Sequence, residues 1–164
     1  SVVTGDIIAK NAYEWSKATE SPLAQAAVRG AEKITVRPLL GHSGKAVKLP
    51  KGASLSYDFY CDKSGDARFT IAAIPCFLNA VKDMRVSVSI DRGEPVICQL
   101  KEVYNSKNWQ FDLWRGQTLK SFYVTLPGGS HNVTIKALDD NVMIDQWVLD
   151  YDVDREYYVF PVAK

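Results

Sequence analysis

The stretch GGSHNVTIKALDDNVMIDQWVLDY, residues 128–151, holds the side chains best suited to chemistry. His131 and Asp145 are residue types that serve as base, acid or orienting group. Acid-base hydrolysis by paired carboxyl groups needs the two at a set separation across a cleft. The neighbouring acids do not offer that pairing. Asp139 and Asp140 share a turn with Asn141, where aspartates bond their own backbone, and Asp150 and Asp152 follow the last apolar run. No catalytic residue is expected. His131 opens a strand after Pro127-Gly128-Gly129 and is expected to be structural, bonding backbone across a hairpin. Asp145 alternates with Met143, Trp147 and Leu149, and a carboxylate on an apolar face must be paired or accept N–H groups. It is expected to be a structural latch to the edge of the opening strand or to Lys10.

The elements that would hold these residues are strands. In SLSYDFYC, Leu55, Tyr57, Phe59 and Cys61 alternate with Ser54, Ser56, Asp58 and Tyr60, the pattern of a half-buried strand. Phe69, Ile71 and Ala73 repeat the period in RFTIAAI. Val86, Val88 and Ile90 repeat it before a turn at DRGEP, and PVICQL reads as the return strand. Phe122, Val124 and Leu126, then Val133, Ile135 and Ala137, continue the series, and residues 128–151 read as a closing antiparallel hairpin. Strands recurring between Gly, Pro, Asn and Asp turns predict an all-β, antiparallel two-sheet sandwich. One short helix is expected near the N-terminus, with Ser21 as cap, Pro22 in its first turn and Gly30 beyond its end.

Sugar rings are held by aromatics stacked on their C–H faces and by polar side chains on their hydroxyls. The densest such mixture is YNSKNWQFDLWRGQ, residues 104–117, read as a loop or strand end. Its candidates are Tyr104, Asn108, Trp109, Trp114 and Arg115. The alternative is that Trp109 and Trp114 fill the space between sheets. Tyr13 and Trp15, after the opening strand, form a second candidate pair. GHSGK, residues 41–45, lacks the spacing of a phosphate loop and reads as a turn. NVT at 132–134 matches a glycosylation sequon but falls in a strand.

Length and composition bound the rest. The 164 residues suggest one domain, and a chain of this size buries about two-thirds of its unfolded surface. Net charge is +1 with scattered basic residues, so neither nucleic acid nor a membrane is expected as a partner. The three cysteines, Cys61, Cys76 and Cys98, form no metal-binding spacing, and no metal or cofactor is expected. The chain begins at Ser1, which suggests processing or a piece of something longer.

Four segments carry a family resemblance. IIAKNAY (7–13) resembles the opening strand, and VRPLLGHSGKAVKLP (36–50) the following Gly-x-Ser-Gly loop and strand, of the C-terminal β-sandwich of glycoside hydrolase family 115, the xylan α-glucuronidase family. MRVSVSIDRGEP (84–95) resembles its central strand and turn. NWQFDLWRG, with VTLPGGSHNVTIKALDDNVMIDQWVLDY, resembles its Trp segment and final Gly-x-His hairpin. The chain is more distantly similar to galactose-binding-like carbohydrate-binding modules. The resemblance implies a galactose-binding-like jelly roll over residues 1–164, the C-terminal part of a larger extracytoplasmic glycoside hydrolase. It implies a non-catalytic accessory role: packing on the parent's catalytic domains, forming a homodimer, or touching a polysaccharide. A free-standing carbohydrate-binding module is the alternative. Calcium-binding relatives among those modules carry an acid after the Ala of the opening strand. Here Lys10 follows Ala9, a cation that would repel Ca²⁺. The tail YYVFPVAK also departs from the Gly-Pro-Pro-rich ending of the family.

Overall fold

A computed structural model describes residues 6–157. The strands are β1 (Ile7–Asn11), β2 (Lys17–Thr19), β3 (Thr35–Pro38), β4 (Lys45–Leu49), β5 (Ser54–Cys61), β6 (Gly65–Ala73), β7 (Arg85–Ile90), β8 (Val96–Gln99), β9 (Thr118–Leu126), β10 (Gly129–Ala137) and β11 (Val142–Asp150). Two helices join them, α1 (Pro22–Gln25) and α2 (Lys107–Arg115). One sheet runs β3-β4-β11-β6-β9, with β1 also on β11; the other runs β2-β5-β10-β7-β8. All pairings are antiparallel. The expected all-β two-sheet sandwich is therefore present.

The apolar rows read from alternation meet between the sheets. Leu55, Tyr57, Phe59 and Cys61 from β5 and Val133, Ile135 and Ala137 from β10 face Phe69, Ile71 and Ala73 from β6. Trp147 of β11 is fully buried at the centre, with Tyr57, Phe59 and Phe69 ring centroids at 5.6, 5.4 and 5.2 Å. Offset and edge-on rings of this kind add to simple area burial. The Tyr57 hydroxyl donates to the Ala12 carbonyl at 2.7 Å, and burial, then Glu14, pushes its pKa up. The wedge between the sheets is thus Trp147, not Trp109 or Trp114.

Residues 128–151 are not a hairpin. β10 belongs to the five-stranded sheet and β11 to the six-stranded one, so the turn at 138–141 arches across the core. A tight turn between two apolar rows looks the same in sequence whether the strands pair or face each other. The second departure is α2, where a loop or strand end was expected. Ser106 caps it, accepting from the Trp109 N–H at 3.1 Å, and Gly116 closes it in the left-handed region with φ 74°. Its one buried residue is the polar Asp112, so the helix packs no apolar face into the core. The expected first helix exists but lasts only four residues, capped by Ser21. Residues 158–164 of the tail lie outside the described residues.

Candidate functional site

Two side-chain sets stand out in the sequence, the structural pair Asp145 and His131 and the seven sugar-binding candidates, and the structure treats them differently. Asp145 falls at a β-bulge: Ile144 pairs with Ala73 and Gln146 with Ala72, leaving Asp145 between them. The bulge shifts the phase of the strand, so Val142, Ile144, Trp147 and Leu149 face the core and Asp145 does not share the face of Trp147. Its fully buried carboxylate accepts the His42 N–H at 2.7 Å, the Ser43 N–H at 3.1 Å, the Ser43 hydroxyl at 2.5 Å and the Gln117 side-chain N–H at 3.0 Å. Its own backbone carbonyl receives the Ala12 N–H at 2.9 Å. The carboxylate's partners are thus the 41–43 turn and Gln117 rather than Lys10. Four donors occupy the carboxylate's acceptor positions. Those donors do not fit a Ca²⁺ ion, which requires several oxygen ligands free to turn inward. Among the described residues no group of three or more His, Cys, Asp or Glu is arranged for a metal.

His131 is also buried. Its ring stacks on Phe59 at 5.6 Å, Nδ1 meets Asp91 Oδ2 at 2.5 Å and Nε2 donates to the Pro127 carbonyl at 2.7 Å. Burial disfavours the imidazolium, but the Asp91 and Pro127 bonds outweigh it, and the His131 pKa is raised. Partial burial works against the Asp91 carboxylate, but the His131 bond, the Asn132 N–H and the charge of His131 hold its pKa below the usual carboxylate range.

The seven aromatic and polar candidates do not form one platform. Trp109 packs edge-on against Phe77 and Tyr104, with centroids at 5.6 and 5.0 Å. Arg115 pairs with Asp112 at 3.5 Å, while Asn108 is exposed on α2. Trp114 projects outward, 87% exposed. Trp15 and Tyr13 pack against the rim of the core, Tyr13 under the Lys45 ammonium at 5.3 Å. Burial raises the Asp112 pKa, and its carboxylate takes the Thr118 hydroxyl at 2.6 Å.

The most complete polar surface lies elsewhere, on the outer face of the five-stranded sheet. Strand alternation that buries Leu55, Tyr57 and Phe59 turns Ser54, Ser56, Asp58 and Tyr60 outward. The same rule turns Ser130, Asn132 and Thr134 of β10 outward beside them. Register sets Lys17, Ser56 and Thr134 in one row across three strands, with Asp58 and Asn132 in the next. Ser56 and Thr134 hydroxyls meet at 2.8 Å, and the Asn132 amide donates to Asp58 at 2.9 Å. Two adjoining clefts of about 660 and 780 Å³ follow these rows and share Asp58, Asp91 and Asn132. Lys17 and Arg92 line the first, and Lys10, Tyr60 and His131 the second. Together they make a trough carpeted with hydroxyls, with amide and ionic groups along it and Tyr60, 62% exposed, at one end. None of the seven candidates lines it. The signal was present in the outward half of each alternating strand, where serine, threonine and asparagine read as ordinary solvent-facing residues.

Two carboxylates, Asp58 and Asp91, border this trough. Both Asp91 oxygens are engaged, Oδ1 by the Asn132 N–H at 2.8 Å and Oδ2 by His131. A general acid needs a raised pKa, and that of Asp91 is lowered. The trough is equipped to hold hydroxyl-rich ligands rather than to protonate them.

Comparison with solved structures places this fold among carbohydrate-active proteins. A family GH115 4-O-methyl-α-glucuronidase, BtGH115A, with specificity for decorated arabinogalactans, superposes with a TM-score of 0.70 at 25% identity. The match covers 88% of this chain and 17% of that one, so the chain spans a small part of its relative. The C-terminal family 6 carbohydrate-binding module of the laminarinase LamC from Zobellia galactanivorans matches with a TM-score of 0.57 at 16% identity, covering 88% and 99% of the two chains. A family 35 module from Clostridium thermocellum matches with a TM-score of 0.59 at 13% identity, covering 87% and 97%. Comparison with curated proteins gives no match. The glycosyl hydrolase family 115 C-terminal domain matches residues 8–163, nearly the whole sequence, and the chain belongs to that family.

Proposed function

We propose that this chain is a non-catalytic accessory domain of a family 115 glycoside hydrolase, and that it holds polysaccharide along the trough on its five-stranded sheet. The observation that carries the reading is the trough itself. Hydroxyl, amide and ionic side chains lie in register across β2, β5 and β10, with an exposed aromatic ring at the end. That combination matches the alternating polar rims and apolar faces of sugar rings. The parent would act on glucuronic-acid-bearing polysaccharide of the xylan type outside the cytoplasm. The 4-O-methyl-α-glucuronidase relative supports the sugar and makes decorated arabinogalactan a second probe beside xylan. Asp91, held ionised with both oxygens occupied, supports a binding rather than hydrolytic role.

A second surface supports packing on the parent's catalytic domains. Phe111, Leu113 and Trp114 of α2 are 48, 57 and 87% exposed, and Val103 and Tyr104 before the helix are 76 and 64% exposed. Apolar groups concentrated on one helix and its approach mark a surface made for contact with protein. A homodimer would use the same face.

Affinity electrophoresis of the chain through glucuronoxylan and decorated arabinogalactan tests the binding reading. Retardation by either, abolished by Tyr60→Ala with the fold intact, is the expected result. Free mobility in both would overturn it. Retardation by many unrelated neutral polymers would favour a free-standing binding module.

A further inference from the structure

We propose that His131 is a pH-operated clasp on the trough, holding the Asp91–Arg92 turn in place as an imidazolium and releasing it when deprotonated. The inference rests on the glycan reading of the trough and adds its regulation. Both ring nitrogens face oxygen acceptors: Nδ1 faces the Asp91 carboxylate at 2.5 Å and Nε2 the Pro127 carbonyl at 2.7 Å. Neither acceptor can donate, so each contact needs an N–H, and only the imidazolium has two. A neutral ring satisfies one contact and points a lone pair at the other oxygen.

The clasp acts on a turn that needs holding. Asp91 and Arg92 are non-glycine residues with φ of 53° and 58°, in the left-handed region that disfavours side chains. Asp91 anchors them through His131 and through the Asn132 N–H, and Arg92 next to it lines the trough. Loss of the imidazolium removes the positive charge from the Asp91 contact and one of the ring's two N–H donors, so the turn leans more on its Asn132, Gly93 and Ser89 bonds and Arg92 beside it is held less firmly.

The surroundings of His131 favour the charged form. Asp91, from the β7–β8 turn, is its ionic partner; Phe59 of β5 stacks beneath it and carries no charge. Asp58 and Tyr60 of β5 and Lys10 of β1 border the same cleft, the carboxylate favouring and the ammonium opposing protonation. The Cys61 thiol, within the field of Asp91, is held neutral by burial, which raises its pKa. Between an ordinary histidine value and the raised one lies a range in which the folded protein keeps the proton that a free histidine would lose.

Two readouts on the 164-residue chain test the clasp. Ring ¹⁵N shifts of His131 and amide shifts of Asp91 and Arg92 are followed from about pH 5 to about pH 9. Retardation by glucuronoxylan is measured over the same range. The turn amides are expected to move with the His131 titration, and affinity to fall about fivefold over the same transition. In Asp91→Asn, which keeps the hydrogen-bonding shape but loses the charge, both transitions move to lower pH. A neutral His131 throughout, turn amides that ignore its titration, or affinity unchanged while His131 titrates would each overturn the proposal. If no polymer binds at any pH while the amides follow His131, the glycan reading fails and the regulation built on it falls, but the clasp on the turn stands.

Discussion

The Asp145 carboxylate fills the space that a side chain on Gly41 would need. A Cβ built on Gly41 would lie 2.4 Å from the Asp145 carboxyl carbon, and Gly41 sits at φ 73°. The glycine lets the 41–43 turn press onto a buried carboxylate, which then receives the His42 and Ser43 N–H groups. This one approach fastens the loop before β4 to the last strand, 102 residues away in sequence.

Replacing Gly41 with Ala is therefore expected to cost about 2–4 kcal/mol, from the left-handed backbone and the collision together. Urea unfolding checks it: the midpoint falls and the slope stays constant. Gly30, at φ 81° with nothing near its missing side chain, loses only the backbone part with the same change.

Asp145→Asn keeps the size but places an NH₂ where N–H and O–H donors converge. It is expected to destabilise the fold by about 2 kcal/mol, the cost of leaving a buried donor unmatched. Lys10→Ala is expected to change stability by less than about 0.5 kcal/mol, because Lys10 lies on the cleft border rather than on Asp145. The pair of unfolding curves separates the observed latch from one to the opening strand.

Alternation was enough to reveal β5, β6, β7 and β10, because each buries one face and wets the other. It could not reveal which strands pair, so the Leu138–Asn141 arch passed for a hairpin turn. Nor could it reveal the bulge that takes Asp145 out of phase with Trp147. Helix α2 escaped because it turns the polar Asp112 inward and leaves Phe111, Leu113 and Trp114 outside. The trough escaped for the opposite reason. Its serines and threonines are ordinary on any wet sheet face, and only register gathers Ser56, Thr134, Asp58 and Asn132 into one surface.

The His131–Asp91 pair sets a pH window for stability. A raised histidine pKa stabilises fully below the unfolded value of 6.5, and that part is lost as pH rises through the folded value. A lowered Asp91 pKa stabilises fully above its unfolded 3.8, and that part is lost as pH falls through the folded value. The pair's contribution is thus expected to be largest between pH 3.8 and 6.5. Thermal melts of the chain and of His131→Gln across pH check it: the gap between them narrows at both extremes.

Trp114→Ser should leave the isolated chain within about 0.5 kcal/mol of its original stability, since the ring is already exposed. In a longer family 115 enzyme carrying this domain, as proposed, the same change is expected to loosen the domain, seen as faster limited proteolysis ahead of it. Equal proteolysis of both forms would remove α2 from the packing surface.

The central claim is that glycan lies on the hydroxyl-lined trough. Amide and side-chain NMR shifts during titration with a glucuronoxylan oligosaccharide locate the contact residue by residue. The account predicts that the perturbations centre on Ser56, Asp58, Tyr60, Asn132 and Thr134. Perturbations centred on Trp109 and Trp114, or none at saturating oligosaccharide, would contradict it.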